Sequence, residues 1–504
     1  MAVIIDDVSH TFHEYLLLPG LTTKEHISSN VTLKTPIQRY NIKEGIRGHL
    51  NTPFVSAAMQ AVSGPELAIA LARKGGSAFI FCSQSIESQA QMVRKVKEHK
   101  AGFVESDSNL APTATLGDAL ALRRKTGHST IAITENGGRN TKLLGLLTSK
   151  DFWEYKDDLT QCVSGFYTPR EKLVMAEEGV SLQDATNLLW KHKKECLPVV
   201  DKNGCLKFLV FRKDYFDHHS YPDELTDGRK RLFVGAALNT YDYMERASAL
   251  VEAGVDCLCL DSSDGYSEWQ AEAARQLRAK FGDKIVLGGG NIVSADAFRY
   301  MVEKAEVDFV KVGIGGGSIC ITREQKGIGR GQASAIMDVA QERNKYAKET
   351  GTYIPICSDG GLNSDTQMIV ALAMGADFVM MGKYFAMTEE SPTSKISYRG
   401  RLYKPYWGEG SNRARNWQRY KQSEAAHLVF EEGVDAYVPY SGPLADKVEV
   451  SLVKLKSTMC NVGVLSLGEF HDKARLTRVS EMTVVEGGTS TVEMLDRMNP
   501  NAES

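Results

Sequence analysis

The 504-residue sequence contains no run of 18 apolar residues, which is about the length that a membrane-spanning helix needs. It also has no large excess of either charge, because the formal net charge is -3 at pH 7. Neither nucleic acid nor an anionic membrane is therefore indicated as the main partner. The N-terminus M-A-V-I-I-D-D lacks the basic-then-apolar order of a secretory signal. These absences predict a cytoplasmic protein that needs no membrane and no nucleic acid.

The nine cysteines lack the clustered spacing of a metal site or a disulfide framework. They are scattered without C-x-x-C pairs, and Cys257 and Cys259 alternate inside an apolar run. This pattern predicts reduced thiols that mostly fill the core, and it argues against structural zinc. The composition, with 42% hydrophobic and 24% charged residues, is that of an ordinary globular protein.

Short apolar runs alternate with segments of helix length, a rhythm typical of parallel strands joined by crossover helices. Eight such units are what a closed (β/α)8 TIM barrel requires, so the predicted fold class is α/β. The predicted strands are Phe54 to Met59, Ala78 to Cys82, Leu232 to Leu238, Cys257 to Ser262, Lys284 to Gly289, Phe309 to Ile314, Ile354 to Ser358 and Phe378 to Gly382.

About 150 residues separate the second and third predicted strands, which is far longer than a normal connection. This segment repeats itself: T-L-G-D-A at Thr115 returns as S-L-Q-D-A at Ser181, and L-T-S-K-D-F at Leu147 as V-F-R-K-D-Y at Val210. The offsets of 66 and 63 residues indicate one duplicated unit. The pattern resembles a tandem pair of cystathionine-β-synthase (CBS) modules, which implies binding of adenine or guanine nucleotides. The alternative is a spacer without a ligand.

The resulting domain prediction places the barrel at residues 1–104 and 222–504 and the inserted CBS pair at 105–221. A second irregular segment follows the last strand, from Lys383 to Pro439, and contains Y-W-G-E-G-S-N-R-A-R-N-W-Q-R-Y. Long loops at a barrel rim commonly act as lids or binding loops. We therefore expect a mobile flap at about 383–439.

The seventh and eighth predicted strands end in S-D-G-G, from Ser358, and M-G-K, from Met381. The loops after these two strands of a barrel commonly bind phosphate through glycine N–H groups and a helix N-terminus. Ser318 is positioned to add a hydrogen bond to the same phosphate. Asp359 would repel a phosphate, so it more plausibly accepts hydrogen bonds from ribose hydroxyls. The motifs together favour a nucleoside monophosphate, with plain structural turns as the alternative.

The fourth predicted strand ends in D-S-S, Asp261 to Ser263, with Trp269 shortly after it. These polar groups can hold a polar ring or a ribose, and the tryptophan offers a stacking face for a base. No convincing G-x-G-x-x-G motif opens a helix after a strand, so a dinucleotide would bind without a Rossmann unit.

Cys320 lies in the glycine-rich stretch G-I-G-G-G-S-I-C-I-T directly after the sixth predicted strand. A free thiol with a pKa of about 8.5 is mostly protonated at pH 7, so a nucleophile here needs help. Backbone amides and a nearby helix N-terminus could supply it, and the glycines would let a flat purine approach the chain. We therefore interpret Cys320 as a nucleophile at the functional rim.

These motifs resemble the inosine 5′-monophosphate (IMP) dehydrogenase family over nearly the whole chain. The residues that carry the resemblance are G-G-G-S-I-C-I-T-R-E, G-R-G-Q, D-S-S-D-G, S-D-G-G, R-N-W-Q-R-Y and V-E-G-G. The resemblance implies NAD-dependent oxidation of IMP to xanthosine 5′-monophosphate (XMP) through a covalent thioimidate on Cys320. It implies that Arg419 and Tyr420 of the flap activate the water that releases XMP, with Thr322 and Glu432 as a second proton route.

The resemblance also implies three sets of binding residues, a potassium ion, and assembly as a homotetramer, with an octamer as the alternative. The residues implied to contact IMP are Met59, Asn291, Ser318, Asp359, Gly360, Gly361, Gly382, Lys383, Tyr406, Glu409, Gly410 and Glu432. Those implied to contact NAD are Asp261, Ser262, Ser263, Trp269, Gly313, Gly315 and Arg323. Those implied to hold potassium are Gly315, Gly317 and Cys320, with Glu486, Gly487 and Gly488 from a neighbouring subunit.

Three positions depart from the family pattern. Lys383 stands where Ser or Arg is common, which loses bidentate Arg geometry. Ala57 stands where Ser is common, and Tyr241 stands where some relatives place an Arg against the adenine. The phosphate and adenosine contacts are correspondingly less firmly implied than those around the thiol.

Two rival functions remain open. GMP reductase shares the barrel, the thiol and the phosphate loops, but it normally lacks the Arg-Tyr flap and the CBS insert. A nonenzymatic nucleotide-sensing or filament-forming protein would keep the CBS pair over a relic barrel. Retention of Cys320, Thr322, Arg419 and Tyr420 argues against this second rival.

Overall fold

The computed structural model describes residues 4–99, 102–106, 108–212, 221–414 and 431–487. The chain divides into two compact units. Unit 1 comprises Met1–Val96, Asp223–Leu225 and Phe233–Ser504, and unit 2 comprises Lys97–Pro222 and Thr226–Leu232. The insertion predicted at 105–221 falls inside the range of unit 2.

Unit 1 is built on a closed barrel of eight parallel strands, which confirms the predicted TIM barrel. Around the barrel the order is β3-β4-β5-β6-β7-β8-β1-β2, so strands that follow one another in the chain are neighbours. The strands are β1 (Phe54–Ser56), β2 (Ser77–Ile80), β3 (Gly235–Leu238), β4 (Cys257–Leu260), β5 (Val286–Ile292), β6 (Phe309–Val312), β7 (Ile356–Asp359) and β8 (Phe378–Met381).

The helices of unit 1 lie between the barrel strands in sequence and continue after the last strand. The long helix α11 packs against α1 and α8, the helices of the first and seventh βα units, so it takes the place of the eighth helix. The helices are α1 (Pro65–Arg73), α2 (Ile86–Glu98), α3 (Tyr243–Glu252), α4 (Glu268–Phe281), α5 (Ala295–Lys304), α6 (Thr322–Lys326), α7 (Gln332–Thr350), α8 (Asp365–Ala373), α9 (Lys383–Ala386), α10 (Asn412–Ala414), α11 (Leu444–Val462), α12 (Leu467–Lys473) and α13 (Glu481–Glu486).

The barrel interior is filled by side chains. Phe309 packs against Phe79 and Phe378, with ring centroids 6.2 Å and 5.4 Å away. Gly288 on the neighbouring strand β5 leaves space for the Phe309 ring, because a Cβ there would lie 2.0 Å from Phe309 Cζ. Cys257, Cys259 and Cys357 are buried in the same core, and all nine cysteines are free thiols, as the sequence predicts.

The segment from Lys383 to Pro439 is more regular than predicted. Helix α9 opens it, and three antiparallel strands follow: β9 (Ile396–Tyr398), β10 (Arg401–Trp407) and β11 (Asp435–Pro439). The prediction of an irregular segment is therefore wrong for most of its described part. Pro405, which lacks an N–H and argues against a strand, pairs with Tyr437 in this sheet. Residues 415–430 lie outside the described residues.

Unit 2 contains the same βαββ pattern twice, in agreement with the repeat in the sequence. Its two halves meet through a bridge between Lys142 and Cys205 and share an apolar core. The first repeat is Asn109–Leu110, Leu116–Thr126, Ile131–Thr134 and Leu143–Leu147, joined by the strand Thr168–Pro169. The second is Ala176–Glu177, Leu182–Lys191, Cys196–Val200 and Leu206–Phe211.

Short elements complete the described chain. They are the 3-10 helices Phe12–Glu14, Ser28–Asn30, Val163–Gly165, Arg170–Lys172 and Gly282–Lys284, and the strand pairs Tyr15–Leu18 with Arg475–Arg478, Thr35–Pro36 with His49–Leu50, and Tyr40–Asn41 with Thr352–Tyr353. Among the described residues, no single helix is long and apolar enough to cross a membrane. The bent pair α11 and α12 passes the same test together, by length and composition only.

Candidate active site

A cleft of about 330 Å³ opens at the carboxyl ends of the barrel strands. Loops after β1, β4, β5, β6, β7 and β8 line it, together with the turn after β10. Most of the predicted site residues meet here. The lining residues are Ala57, Ala58, Met59, Asp261, Ser262, Ser263, Asn291, Lys311, Gly313, Gly315, Gly316, Gly317, Ile319, Cys320, Thr322, Asp359, Gly360, Met380, Gly382, Tyr406, Gly408, Glu409, Gly410 and Glu432.

Cys320 sits in this cleft at the start of a chain of polar groups. Its Sγ lies 3.1 Å from Thr322 Oγ1, and that hydroxyl donates to Glu432 Oε2 over 3.2 Å. The other carboxylate oxygen, Glu432 Oε1, lies 2.6 Å from Lys326 Nζ. Thr322 opens helix α6 and is buried. A thiol, a hydroxyl and a carboxylate are thus aligned within proton-transfer distance of one another.

The cysteine loop is held against the turn that precedes β11. Cys320 forms a β-bridge with Gly433, Ile321 N donates to Glu432 O over 3.0 Å, and Val434 N donates to Ile319 O over 3.1 Å. This short antiparallel pairing explains how Glu432, more than a hundred residues away in sequence, comes to lie beside the thiol.

The glycines around Cys320 make room chiefly for the protein itself. Gly313 and Gly315 both have positive φ, of +141° and +70°. A Cβ on Gly313 would lie 2.1 Å from Asp359 O, and one on Gly315 would lie 2.5 Å from the Arg323 side chain. The sequence interpretation assigned this space to a purine. In the structure, close backbone and side-chain neighbours already require glycine here.

Lys311 joins the two acidic sides of the cleft, and the sequence analysis missed it. Its ammonium contacts Asp261 and lies 3.2 Å from Asp359 Oδ2. Burial alone would lower the Lys311 pKa, but attraction to the two carboxylates outweighs it and raises that pKa above its ordinary value. Lys311 is therefore a fixed positive charge between the residues expected to contact NAD and those expected to contact ribose.

Asn291 extends this network toward the ligand space. Its Nδ2 donates to Asp359 Oδ2 over 2.9 Å and to Gly313 O over 2.7 Å. Its Oδ1 is buried and has no hydrogen-bond partner among the described residues. A buried acceptor without a partner is costly unless a ligand or water satisfies it.

The predicted phosphate side combines the loop after β8 with strand β10. Tyr406 is buried, and its hydroxyl lies 3.9 Å from Met59 Sδ. Burial raises the Tyr406 pKa well above its usual value, so the phenol stays a neutral donor. Gly382 caps helix α9, and a Cβ there would lie 2.6 Å from the Tyr406 hydroxyl.

Other predicted residues are not part of the cleft lining. Gly361 N donates to Gly316 O over 2.8 Å, which joins the loops after β6 and β7. Lys383 is the first residue of α9. Arg323 donates to Ile314 O over 3.2 Å and 3.1 Å, so it braces the cysteine loop. Trp269 is 78% exposed on α4.

The remaining predicted residues are separate from the cleft or outside the description. Glu486 and Gly487 end helix α13 and do not belong to the lining of the cleft. Arg419, Tyr420 and Gly488 lie outside the described residues.

Both carboxylate oxygens of Glu409, a predicted IMP contact, are hydrogen-bonded to protein groups. Its Oε1 accepts from Gln60 N over 2.7 Å and its Oε2 accepts from Ser83 Oγ over 2.6 Å. A residue whose two oxygens are both engaged by the protein shapes the wall of a pocket. Its role as a direct nucleotide contact stays a prediction.

The fold and the cleft define a class of protein: a TIM barrel whose cleft, at the carboxyl ends of the strands, holds a cysteine beside a hydroxyl and a carboxylate. Residues 9–490 match the model of the IMP dehydrogenase / GMP reductase domain family. The chain belongs to this family.

Two inosine-5′-monophosphate dehydrogenases illustrate the similarity. That of Tritrichomonas foetus is 54% identical over 502 residues, covering 99% of both chains. That of Aquifex aeolicus is 37% identical over 476 residues, covering 93% of both chains. Both alignments extend across the barrel and the range of unit 2.

Among solved structures, a variant of GMP reductase from Trypanosoma brucei, in complex with guanosine 5′-monophosphate, superimposes with a TM-score of 0.82. It is 29% identical and the match covers 97% of this chain and 98% of that one. A reductase can thus span the region of unit 2. The presence of the insert therefore does not by itself separate a dehydrogenase from a reductase.

Proposed function

We propose that this chain oxidises IMP to XMP with NAD and water through a covalent intermediate on Cys320. The alignment of Cys320, Thr322 and Glu432 in one cleft carries the proposal. The 54% identity to an IMP dehydrogenase over nearly the full chain supports the choice of substrate.

In the first half-reaction the Cys320 thiol would give up its proton to a protein acceptor while its sulfur bonds to purine C2, and NAD would supply the acceptor for the hydride that C2 loses. This produces a thioimidate and NADH. In the second half-reaction water adds to C2, the carbon–sulfur bond breaks, and XMP and the free thiol are released. NAD supplies the hydride acceptor, and the protein supplies the nucleophile and the proton acceptors.

We assign water activation to Arg419 and Tyr420, with Thr322 and Glu432 as the second proton route. A guanidinium is normally protonated, so Arg419 can act as a base only with strong desolvation or help from partners. The side-chain oxygens of Glu432 offer an acceptor reached through the Thr322 hydroxyl, which supports the second route.

The cleft fits a nucleoside monophosphate. Asp359 would accept from the ribose, with Lys311 and Asn291 fixing its Oδ2. The phosphate would lie near Ser318, Gly360, Gly361, Gly382 and Lys383, with Tyr406 as a neutral donor. Met59, Glu409 and Gly410 would form the wall beside the base.

The residues present also fit NAD on the Asp261 side. The Asp261 carboxylate lines the cleft and is held by Lys311, so it is an acceptor suited to hydroxyl donors. The buried Asn291 Oδ1, without a partner among the described residues, remains assigned to IMP, as an acceptor for a hydroxyl donor. Asp261, Ser262 and Ser263 would hold the nicotinamide riboside, with Gly313, Gly315 and Arg323 shaping the loop around it. Trp269 would offer its exposed face to the adenine.

A potassium ion would be held by carbonyl oxygens of Gly315, Gly317 and Cys320. Gly317 O accepts from Cys320 N over 3.2 Å, and a carbonyl oxygen keeps a second lone pair for a cation. Glu486, Gly487 and Gly488 would come from a second chain, consistent with a homotetramer or octamer. Replacing potassium by a large organic cation should then lower turnover. Unchanged turnover would remove this assignment.

We further assign residues 105–221 to a CBS pair that binds adenine or guanine nucleotides. The doubled βαββ pattern of unit 2 supports this assignment.

We assign the protein to the cytoplasm. Its nine cysteines form no disulfide, which is consistent with that reducing compartment.

The decisive experiment follows NADH absorbance with purified protein, IMP, NAD and potassium, with Cys320→Ala as the inactive control. The alternative is reduction of GMP by NADPH, which the likeness to the Trypanosoma brucei reductase favours. Oxidation of NADPH with GMP, and no NADH from IMP, would replace the dehydrogenase assignment by that of a reductase.

A further inference from the structure

A buried glutamine, Gln60, connects the barrel to the wall of the cleft. It follows the lining residue Met59 in the loop after β1 and is 5% exposed. Within the described chain its main-chain N–H and both side-chain polar atoms are hydrogen-bonded. Its partners belong to two separate segments, the loop after β2 and residues 407–414.

Three of the bonds reach the end of β10 and the turn that follows it, residues 407–414. Trp407 Nε1 donates to Gln60 Oε1 over 3.0 Å, and Gln60 Nε2 donates to Ala414 O over 3.2 Å. The backbone N–H of Gln60 donates to Glu409 Oε1 over 2.7 Å. The turn is therefore fixed at its beginning, at its middle and at its end.

The remaining bonds anchor the same turn to the loop after β2. Gln60 Nε2 donates to Ser83 O over 3.0 Å, and Ser83 Oγ donates to Glu409 Oε2 over 2.6 Å. Ser83 and Ala414 are at most 1% exposed. Because these bonds are shielded from water, losing one partner leaves buried polar groups unsatisfied.

We propose that Gln60 is a positioning residue that holds the wall formed by residues 407–414 against the barrel and thereby sets the nucleotide-binding geometry of the cleft. Glu409 and Gly410, which line the cleft, lie within this wall. The inference rests on the proposed function in that the bound nucleotide is IMP. Gln60 itself contacts the wall and does not need to touch the substrate.

Gln89 provides a matched control. It is fully buried, its Nε2 donates to two carbonyls, Ile80 O at 3.0 Å and Ala237 O at 2.9 Å, and its Oε1 accepts from Arg246 over 2.8 Å. It thus has the same bonding pattern as Gln60 but is not part of the cleft lining. A purely structural role for Gln60 predicts equal behaviour of the two glutamines.

The test compares Gln60→Leu with Gln89→Leu by calorimetric binding of IMP and of GMP, thermal unfolding and steady-state kinetics. We expect Gln60→Leu to weaken nucleotide binding about tenfold and to raise the KM for IMP more than it lowers kcat. Gln89→Leu should lower the unfolding temperature and leave nucleotide affinity within about twofold of wild type.

Trp407→Phe is a milder second variant, because it removes the indole N–H and keeps an aromatic ring. It should weaken nucleotide binding by about threefold. If Gln60→Leu does not fold, this variant alone tests whether the wall sets nucleotide affinity. Wild-type affinity in the folded Gln60 or Trp407 variant, or equal loss in Gln89→Leu, would overturn the proposal. Measuring both nucleotides keeps this result separate from the choice between dehydrogenase and reductase, which turnover decides.

Discussion

At the scale of single residues, the cleft depends on a balance of buried charge. Lys311 is 2% exposed and faces Asp261 and Asp359. Both carboxylates are partly exposed. Removing one partner of such a group leaves like charges facing each other without compensation. The lysine is thus as important for shaping the cleft as the carboxylates that would contact the ligands.

Lys311→Met should raise the KM for both IMP and NAD by about tenfold or more, because Asp261 and Asp359 would repel each other and turn away. Steady-state kinetics with each substrate varied in turn measures this effect. Lys311→Arg, which keeps the charge, should retain most of the activity. A methionine variant with wild-type KM values would show that the lysine does not organise the carboxylates.

The sequence analysis found polar side chains at or after the ends of apolar runs and missed a polar side chain in the middle of one. Cys320, Asp359 and Asp261 were found because each follows an apolar run. Lys311 was missed although a signal existed, since a lysine inside the buried strand F-V-K-V is costly without a partner. Gln60 was missed because an isolated glutamine has no pattern that predicts its partners.

At the scale of elements, helix α9 and strand β10 form the predicted phosphate side through one close contact. Gly382 and the Tyr406 hydroxyl are so near that even a methyl group does not fit between them. The buried phenol has little freedom to move aside. The distance between the two elements therefore determines whether Tyr406 reaches into the cleft.

Gly382→Ala should raise the KM for IMP about tenfold with a smaller effect on stability, because the added Cβ displaces Tyr406. Gly468→Ala is the control, since its Cβ in helix α12 would meet nothing within 4 Å. That variant should keep the wild-type KM and gain up to about 1 kcal/mol of stability from the helix propensity of alanine. Equal KM values in the two variants would contradict this account of the contact.

The strands of the barrel were predictable because each is a short apolar run flanked by turn residues. Their ends were less predictable: the first was expected to reach Met59 but ends at Ser56, because residues 57–59 turn into the cleft. The sheet of β9, β10 and β11 was missed because Pro405 argues against a strand in the sequence. In the structure β10 nevertheless pairs regularly with β9 and β11.

At the scale of the whole molecule, every residue that lines the cleft belongs to unit 1. The internal repeat was enough to predict the duplicated architecture of unit 2 from the sequence. The ligand of unit 2 could not be predicted, because the repeat describes a scaffold and binding depends on individual side chains.

Replacing residues 105–221 by a short Gly-Ser linker should leave kcat within about threefold of the full chain, because the chemistry requires only unit 1. NADH formation at saturating IMP and NAD measures this, with circular dichroism to verify folding. A folded variant without turnover would mean that unit 2 is required for catalysis.

The central claim, a covalent bond between Cys320 and the purine, is tested most directly by mass spectrometry. The reaction with IMP and NAD is quenched with acid during turnover, and the peptide containing Cys320 is weighed. The account predicts added mass equal to one IMP less two hydrogen atoms on that peptide, which is the mass of XMP less one water, and none in Cys320→Ala. Steady NADH formation with no nucleotide ever attached to Cys320 would contradict it.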